Sequence, residues 1–109
     1  MAKRHNVRDI VYASSSSVYG GNEKVPFSVK DDVSNQVSIY AATKKYNELL
    51  AKTYYNLYGI NSVGLRFFTV YGSWGRPDMS YFKFMNKLKT GDKIQIYNNG
   101  DHLRDFTHI

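Results

Sequence analysis

Ile10-Val11-Tyr12-Ala13-Ser14-Ser15-Ser16-Ser17-Val18-Tyr19-Gly20-Gly21 opens as a short β-prone run and ends in four consecutive serines and a Val-Tyr-Gly-Gly. Such a stretch is a buried strand running out into a loop. Residues 22–37 that follow are polar, contain one proline, Pro26, and carry neither a helical nor a strand period, which predicts a surface excursion. Tyr40 to Tyr58 holds good helix formers throughout, with Leu49, Leu50, Thr53, Tyr54 and Leu57 at helical spacing, and meets Gly59, a natural stop. Ser62-Val63-Gly64-Leu65-Arg66-Phe67-Phe68 is a second strand. It leads into Thr69-Val70-Tyr71-Gly72 and a loop with Trp74, Gly75, Arg76 and Pro77. Strand, excursion, helix, strand is the order of a parallel crossover unit.

Beyond it, a second amphipathic helix is predicted over 80–89, with Tyr81, Phe82, Phe84, Met85 and Leu88 on its apolar side and Gly91 after it. Ile94-Gln95-Ile96-Tyr97 alternates like a strand, Asn98-Asn99-Gly100-Asp101 is a turn, and Leu103 to Ile109 is a further extended run. A parallel sheet of two or three strands leaves long unpaired edges and an open apolar face. The chain therefore reads as a piece of a larger α/β domain.

Composition narrows the function. One hundred and nine residues, 42% hydrophobic and 16% aromatic, suit one small unit with a modest core. There is no cysteine, and His5, His102 and His108 lack a metal-ligand spacing, so no metal is expected. No apolar stretch approaches the roughly 20 residues that span a bilayer, and the N-terminus lacks the apolar core of a secretory signal. A cytoplasmic location and no membrane partner follow as expectations. The formal charge of +6 would attract polyanions, nucleotide diphosphates among them. Its contributors Lys3, Arg4 and Arg8, and Lys83, Lys87, Lys89 and Lys93, read as solvated faces. No basic-aromatic recognition motif accompanies them, so a nucleic-acid partner is not expected.

Tyr40 and Lys44 stand four residues apart on the first helix, one turn from each other on one face. A phenol titrates near pH 10, so a tyrosine working as a base near neutrality needs its phenolate favoured by about 4 kcal/mol. A neighbouring ammonium supplies part of that. By itself the pair also fits an exposed aromatic beside a solvated lysine, as the nearby Tyr54 and Tyr58 illustrate.

Read together, Tyr-Ala-Ser-Ser-Ser-Ser-Val-Tyr-Gly (12–20), Tyr-Ala-Ala-Thr-Lys-Lys (40–45), Leu-Arg-Phe-Phe-Thr-Val-Tyr-Gly (65–72), Gly-Arg-Pro-Asp-Met (75–79) and Arg-Asp-Phe-Thr-His (104–108) resemble the extended short-chain dehydrogenase/reductase family. Within it they look closest to the UDP-glucuronate 4-epimerases. The resemblance implies a fragment of a doubly wound, Rossmann-like parallel sheet plus the start of a substrate-binding lobe. Residues 1–76 would belong to the C-terminal part of the NAD-binding domain and 77–109 to the nucleotide-sugar-binding region. It implies NAD as cofactor, a UDP-sugar as substrate, and a catalytic set of Ser15, Tyr40 and Lys44. Tyr40 would be the acid/base, Lys44 its cation and a ligand of the nicotinamide ribose, and Ser15 the hydroxyl that holds the reacting oxygen. Phe68 would lie by the nicotinamide, Tyr97 near the uracil, Arg76 and Arg104 near the diphosphate, and Ser16 and Thr69 near the sugar. Arg66 reads as a structural ion pair or strand-end hydrogen bond rather than a ligand contact. A homodimer through helices that include the Tyr-x-x-x-Lys one is also compatible with the resemblance.

Ser17 bears on reaction type. Dehydratases and decarboxylases of this fold usually carry an acid at that place, and a 4-keto glucuronate loses CO₂ easily, so a neutral shelf of Ser16, Ser17 and Thr69 suits an epimerase. Serines that merely tolerate a tight loop fit equally well. The glycine-rich strand-turn-helix that receives the NAD pyrophosphate in this family is absent from these residues. Turnover is accordingly expected only of a longer protein containing the segment. The alternatives are a UDP-hexose 4-epimerase, a sugar-nucleotide dehydratase, or a non-catalytic uridine-nucleotide-binding remnant.

Overall fold

Strand β1, Asp9–Ala13, lies parallel to β2, Asn61–Leu65, with Val11 opposite Val63 and Ala13 opposite Leu65. The structure, a computed structural model describing residues 1–109, divides into two compact units, Met1–Phe68 and Thr69–Ile109. The β1–β2 pair belongs to the first. The Tyr12 ring lies so close over Gly64 that a methyl group there would force the ring to shift.

Helix α1, Ile39–Tyr58, supplies the crossover between these strands. Ser38 caps it: its hydroxyl accepts the Ala41 N–H at 3.1 Å. Gly59 closes it in the left-handed region at φ 65°, donating its N–H to the Tyr55 carbonyl. The expected crossover is thus present and parallel, as the right-twisted strand and helix order requires. The helix packs on β2 and on the short 3-10 turn Ser16–Tyr19. Within α1 only Ala41 is buried, while the apolar stripe lies open, Leu49 at 53% and Leu57 at 64% exposed.

The first unit's core sits at the end of β1 instead. Val18, Tyr19 and Val33 are buried together, and Phe27 stacks on Tyr19 with ring centroids 4.6 Å apart. Val33 and Phe27 come from the excursion, which has no helix or strand, in agreement with its lack of period. Local hydrogen bonds hold it in place of a ladder. The Asp31 carboxylate accepts from the Ser28 N–H, Asn22 and Lys24, and Gln36 Nε2 donates to the Val18 and Val33 carbonyls.

In the second unit, β3, Thr69–Tyr71, pairs in parallel with β4, Phe106–His108, Thr69 opposite Phe106 and Tyr71 opposite His108. Helix α2, Ser80–Thr90, ends at Gly91 in the left-handed region, close to the predicted bounds. Two expectations are corrected here. Residues 66–68 are not strand, and Thr69–Tyr71, read as the entry to a loop, forms a separate strand because residues far along the chain pair with it. Ile94–Tyr97 forms no strand, since no other strand pairs with it; alternation creates a face but not a partner. The turn after it is confirmed, with Asn98 and Asn99 at φ 48° and 51° before Gly100. No helix is long and apolar enough to cross a membrane.

Candidate active site

The C-terminal end of β1 is where the chain gathers its polar side chains. Ser14 and Ser15 are both buried, at 3% and 8% exposure. The Ser14 N–H donates to the Leu65 carbonyl and the Ser16 N–H to the Phe67 carbonyl, so backbone hydrogen bonds tie the serines to the end of β2 and the residues after it. Ser15 is the N-cap of the 3-10 turn, its Oγ accepting the Ser17 N–H and donating to Ser17 Oγ, both at 3.2 Å. Gly20 ends that turn at φ 60°. A side chain there would run into the Asn35 carbonyl, so the glycine of Val-Tyr-Gly is required by the returning excursion.

Helix α1 delivers Tyr40 and Lys44 to the same end. The Lys44 ammonium donates to the Ala13 carbonyl at 3.0 Å and stands 5.7 Å from the centre of the Tyr40 ring, within cation–π range. Tyr40 itself is half exposed, its ring open to solvent. One lysine thus links the last residue of β1 to the phenol, while two of its three N–H donors remain for other oxygens. Ser15, Tyr40 and Lys44 therefore lie on the segments that the fold brings together. Phe68 stacks at 6.0 Å on Phe27, which in turn covers Tyr19, so the excursion braces that ring.

Sequence reasoning missed the carboxylate that binds this end together. Glu48, one turn beyond Lys44, accepts from the Ser14 hydroxyl at 2.7 Å and from Arg66 Nε and an Arg66 terminal nitrogen at 2.9 Å each, with Lys45 at 3.8 Å. Arg66 also lies over the Tyr19 ring, 4.9 Å from its centre. This is the structural ion pair expected of Arg66, now with its partner. Burial would raise the Glu48 carboxyl, but the Arg66 and Ser14 hydrogen bonds outweigh it and hold the group below its ordinary value. The hydrogen bonds to Glu48 raise Arg66 in turn. The available signal was spacing: Tyr40, Lys44 and Glu48 fall at successive fourth residues of one helix face.

The remaining residues occupy the second unit. Thr69 opens β3, half-buried, its N–H donating to the Asp105 carbonyl. Arg76 forms a two-pronged ion pair with Asp78 on the surface. Tyr97 is exposed and donates to Gln95 at 3.1 Å, and Arg104 is exposed beside Asp105. Ser16, half-buried, stays in the first unit next to Ser15.

Comparison with known proteins shows the family and the fold. Residues 1–109 match the NAD dependent epimerase/dehydratase family throughout. The uncharacterized protein MJ1055 of Methanocaldococcus jannaschii is 57% identical over 108 residues, which cover 99% of this chain and 33% of that protein. UDP-glucuronate 4-epimerase 4 of Arabidopsis thaliana is 56% identical over 103 residues, 92% of this chain and 24% of that protein. Among solved structures, UDP-glucuronic acid 4-epimerase from Bacillus cereus, in complex with UDP-glucuronic acid and NAD, superposes with a TM-score of 0.86 at 34% identity, covering 98% of this chain and 33% of that one. The chain spans a quarter to a third of the length of these relatives. Its parallel strands are a portion of their Rossmann-like fold. With the serine turn at a strand end, the Tyr40–Lys44 face beside it and a match along the full chain, this polypeptide belongs to the NAD dependent epimerase/dehydratase family.

Proposed function

We propose that these residues form the catalytic part of an NAD-dependent epimerase that interconverts UDP-glucuronate and UDP-galacturonate at C4. The observation that carries the reading is the Lys44 ammonium, fixed on the Ala13 carbonyl and set against the Tyr40 ring. The donors left on Lys44 suit ribose hydroxyls, and Phe68 offers an apolar ring, so the residues present fit the nicotinamide end of the cofactor. Lys44 and Phe68 would hold that end of NAD, which would supply reversible hydride exchange with the sugar C4.

The chain's own groups handle the proton. Tyr40 accepts it from the sugar 4-hydroxyl and gives it back after the ring has turned, with the Lys44 ammonium held beside its ring. Ser15 Oγ, whose present partner is only Ser17, holds the reacting oxygen by exchanging that bond for one to the substrate. Ser16 and Thr69 line the sugar, and Arg76, Arg104 and Tyr97 serve the diphosphate and uracil. Arginine suits the first task through its forked donors. In this scheme residues 1–76 complete the cofactor domain and 77–109 begin the sugar-nucleotide region. A neutral Ser17 supports epimerisation over dehydration, because the side chain at that position is not an acid that could protonate a leaving group.

The test uses the full-length protein. Chromatography of UDP-glucuronate incubated with enzyme and NAD should show UDP-galacturonate, and Tyr40→Phe should abolish it. Inversion of a neutral UDP-hexose alone, or loss of water from the substrate, would move the assignment elsewhere in the family. Binding of UDP without NAD-dependent turnover would replace it with a non-catalytic role.

A further inference from the structure

We infer that Glu48 is the positioning residue of this centre, a single carboxylate that locks the helix bearing Tyr40 and Lys44 to the segments bearing Ser15 and Phe68. The inference rests on the catalytic reading above. Glu48 Oε1 receives the Ser14 hydroxyl and Arg66 Nε, and Oε2 receives an Arg66 terminal nitrogen. Ser14 directly precedes Ser15. Arg66 directly precedes Phe67, whose carbonyl accepts the Ser16 N–H, and Phe68 follows. Three chain segments that contribute Ser15, Tyr40 with Lys44, and Phe68 therefore meet at one charged group.

Geometry argues for orientation rather than bulk stability. Both Arg66 bonds measure 2.9 Å and the fork is bidentate, so the approach of the helix is constrained in direction as well as distance. The Ser14 hydroxyl fixes the start of the serine turn, and Lys44 on the Ala13 carbonyl is the next tie along the same helix face. Glu48 is itself mostly buried by the groups it binds, with its side chain 14% exposed, and touches neither reacting group. Loss of its grip would let α1 slide or roll against β1, displacing the phenol and ammonium relative to Ser15. Displacements of about 1 Å at reacting groups cost up to about 100-fold in rate.

The experiment compares variants of the full-length protein with UDP-glucuronate and NAD. Glu48→Gln should lower kcat about 10- to 100-fold while KM changes less than about twofold, because ground-state contacts to the nucleotide stay in place. Glu48→Gln combined with Arg66→Met removes the charge left unpaired and should recover the melting temperature without recovering kcat. Ser14→Ala, which leaves the ion pair intact, should lower kcat about 3- to 10-fold in a fully folded protein. Recovery of kcat in step with stability in the double variant, or parental kcat in Ser14→Ala and folded Glu48→Gln, overturns the inference. Tyr40→Phe serves as the separating control: inactive Tyr40→Phe beside a fully active Glu48→Gln defeats the role of Glu48 alone, whereas active Tyr40→Phe defeats the catalytic reading on which it stands.

Discussion

Glu48 shows at the scale of one side chain how a charge can be kept ionised away from water. Burial opposes the carboxylate, yet two bonds from Arg66 and one from Ser14 leave it more acidic than its ordinary value of 4.5. The unfolded chain then binds more protons than the folded one at low pH, so acid favours unfolding. The contribution is fully present above pH 4.5 and is lost as the pH falls below it, through the lower folded value. Melting temperatures of the full-length parent and Glu48→Gln, followed from pH 7 to about pH 3, should differ most near neutrality and converge in acid. A gap that stayed constant would assign the effect to packing instead. Sequence alone left Arg66 with an ion pair or a strand-end hydrogen bond and named no partner, since Glu48 lies 18 residues away and only the crossover brings the two together.

Helix α1 depends on its ends. Its apolar stripe buries little beyond Ala41, so the Ser38 cap and the Gly59 stop add to the polar ties of Lys44 and Glu48 in defining it. Ser38→Ala should cost about 1 kcal/mol through the lost bond to the Ala41 N–H. Gly59→Ala should cost a similar amount, about 1 kcal/mol, from strain at φ 65° alone, because no neighbouring atom obstructs the added methyl. Gly20→Ala is a different case: positive φ and the Asn35 carbonyl act together, and the cost should reach about 2 kcal/mol or more. Urea titrations of the three variants in the full-length protein check the order. A Gly20→Ala variant no weaker than Gly59→Ala would mean that the excursion yields rather than clashes.

Taken as a whole, the polypeptide exposes far more apolar surface than a self-sufficient domain of its size. Val11 and Val63, opposite each other in the β1–β2 pair, are 69% and 57% exposed, and Leu65 is 41% exposed. A hollow of about 550 Å³ along the same unit is lined by Ile10, Tyr12, Leu50, Tyr54 and Ile60 among others. Each sheet has two strands and therefore only edges. The 109-residue polypeptide prepared alone should bind 1-anilinonaphthalene-8-sulfonate strongly and sediment as associated species, whereas full-length protein should do neither. A monodisperse, dye-silent fragment would contradict this picture.

Hydrophobic period, capping residues and glycine positions determined from sequence alone that a strand, a long excursion, a helix and a parallel strand follow one another. They also determined that Tyr40 and Lys44 share a helical face, because these features depend on residues only a few positions apart. Tertiary structure decided the rest. It brought Glu48 to Ser14 and Arg66, paired Thr69–Tyr71 with Phe106–His108, and left Ile94–Tyr97 without a ladder. Those outcomes depend on which distant backbone or side chain arrives at a given place, and local pattern specifies a face without naming what will meet it.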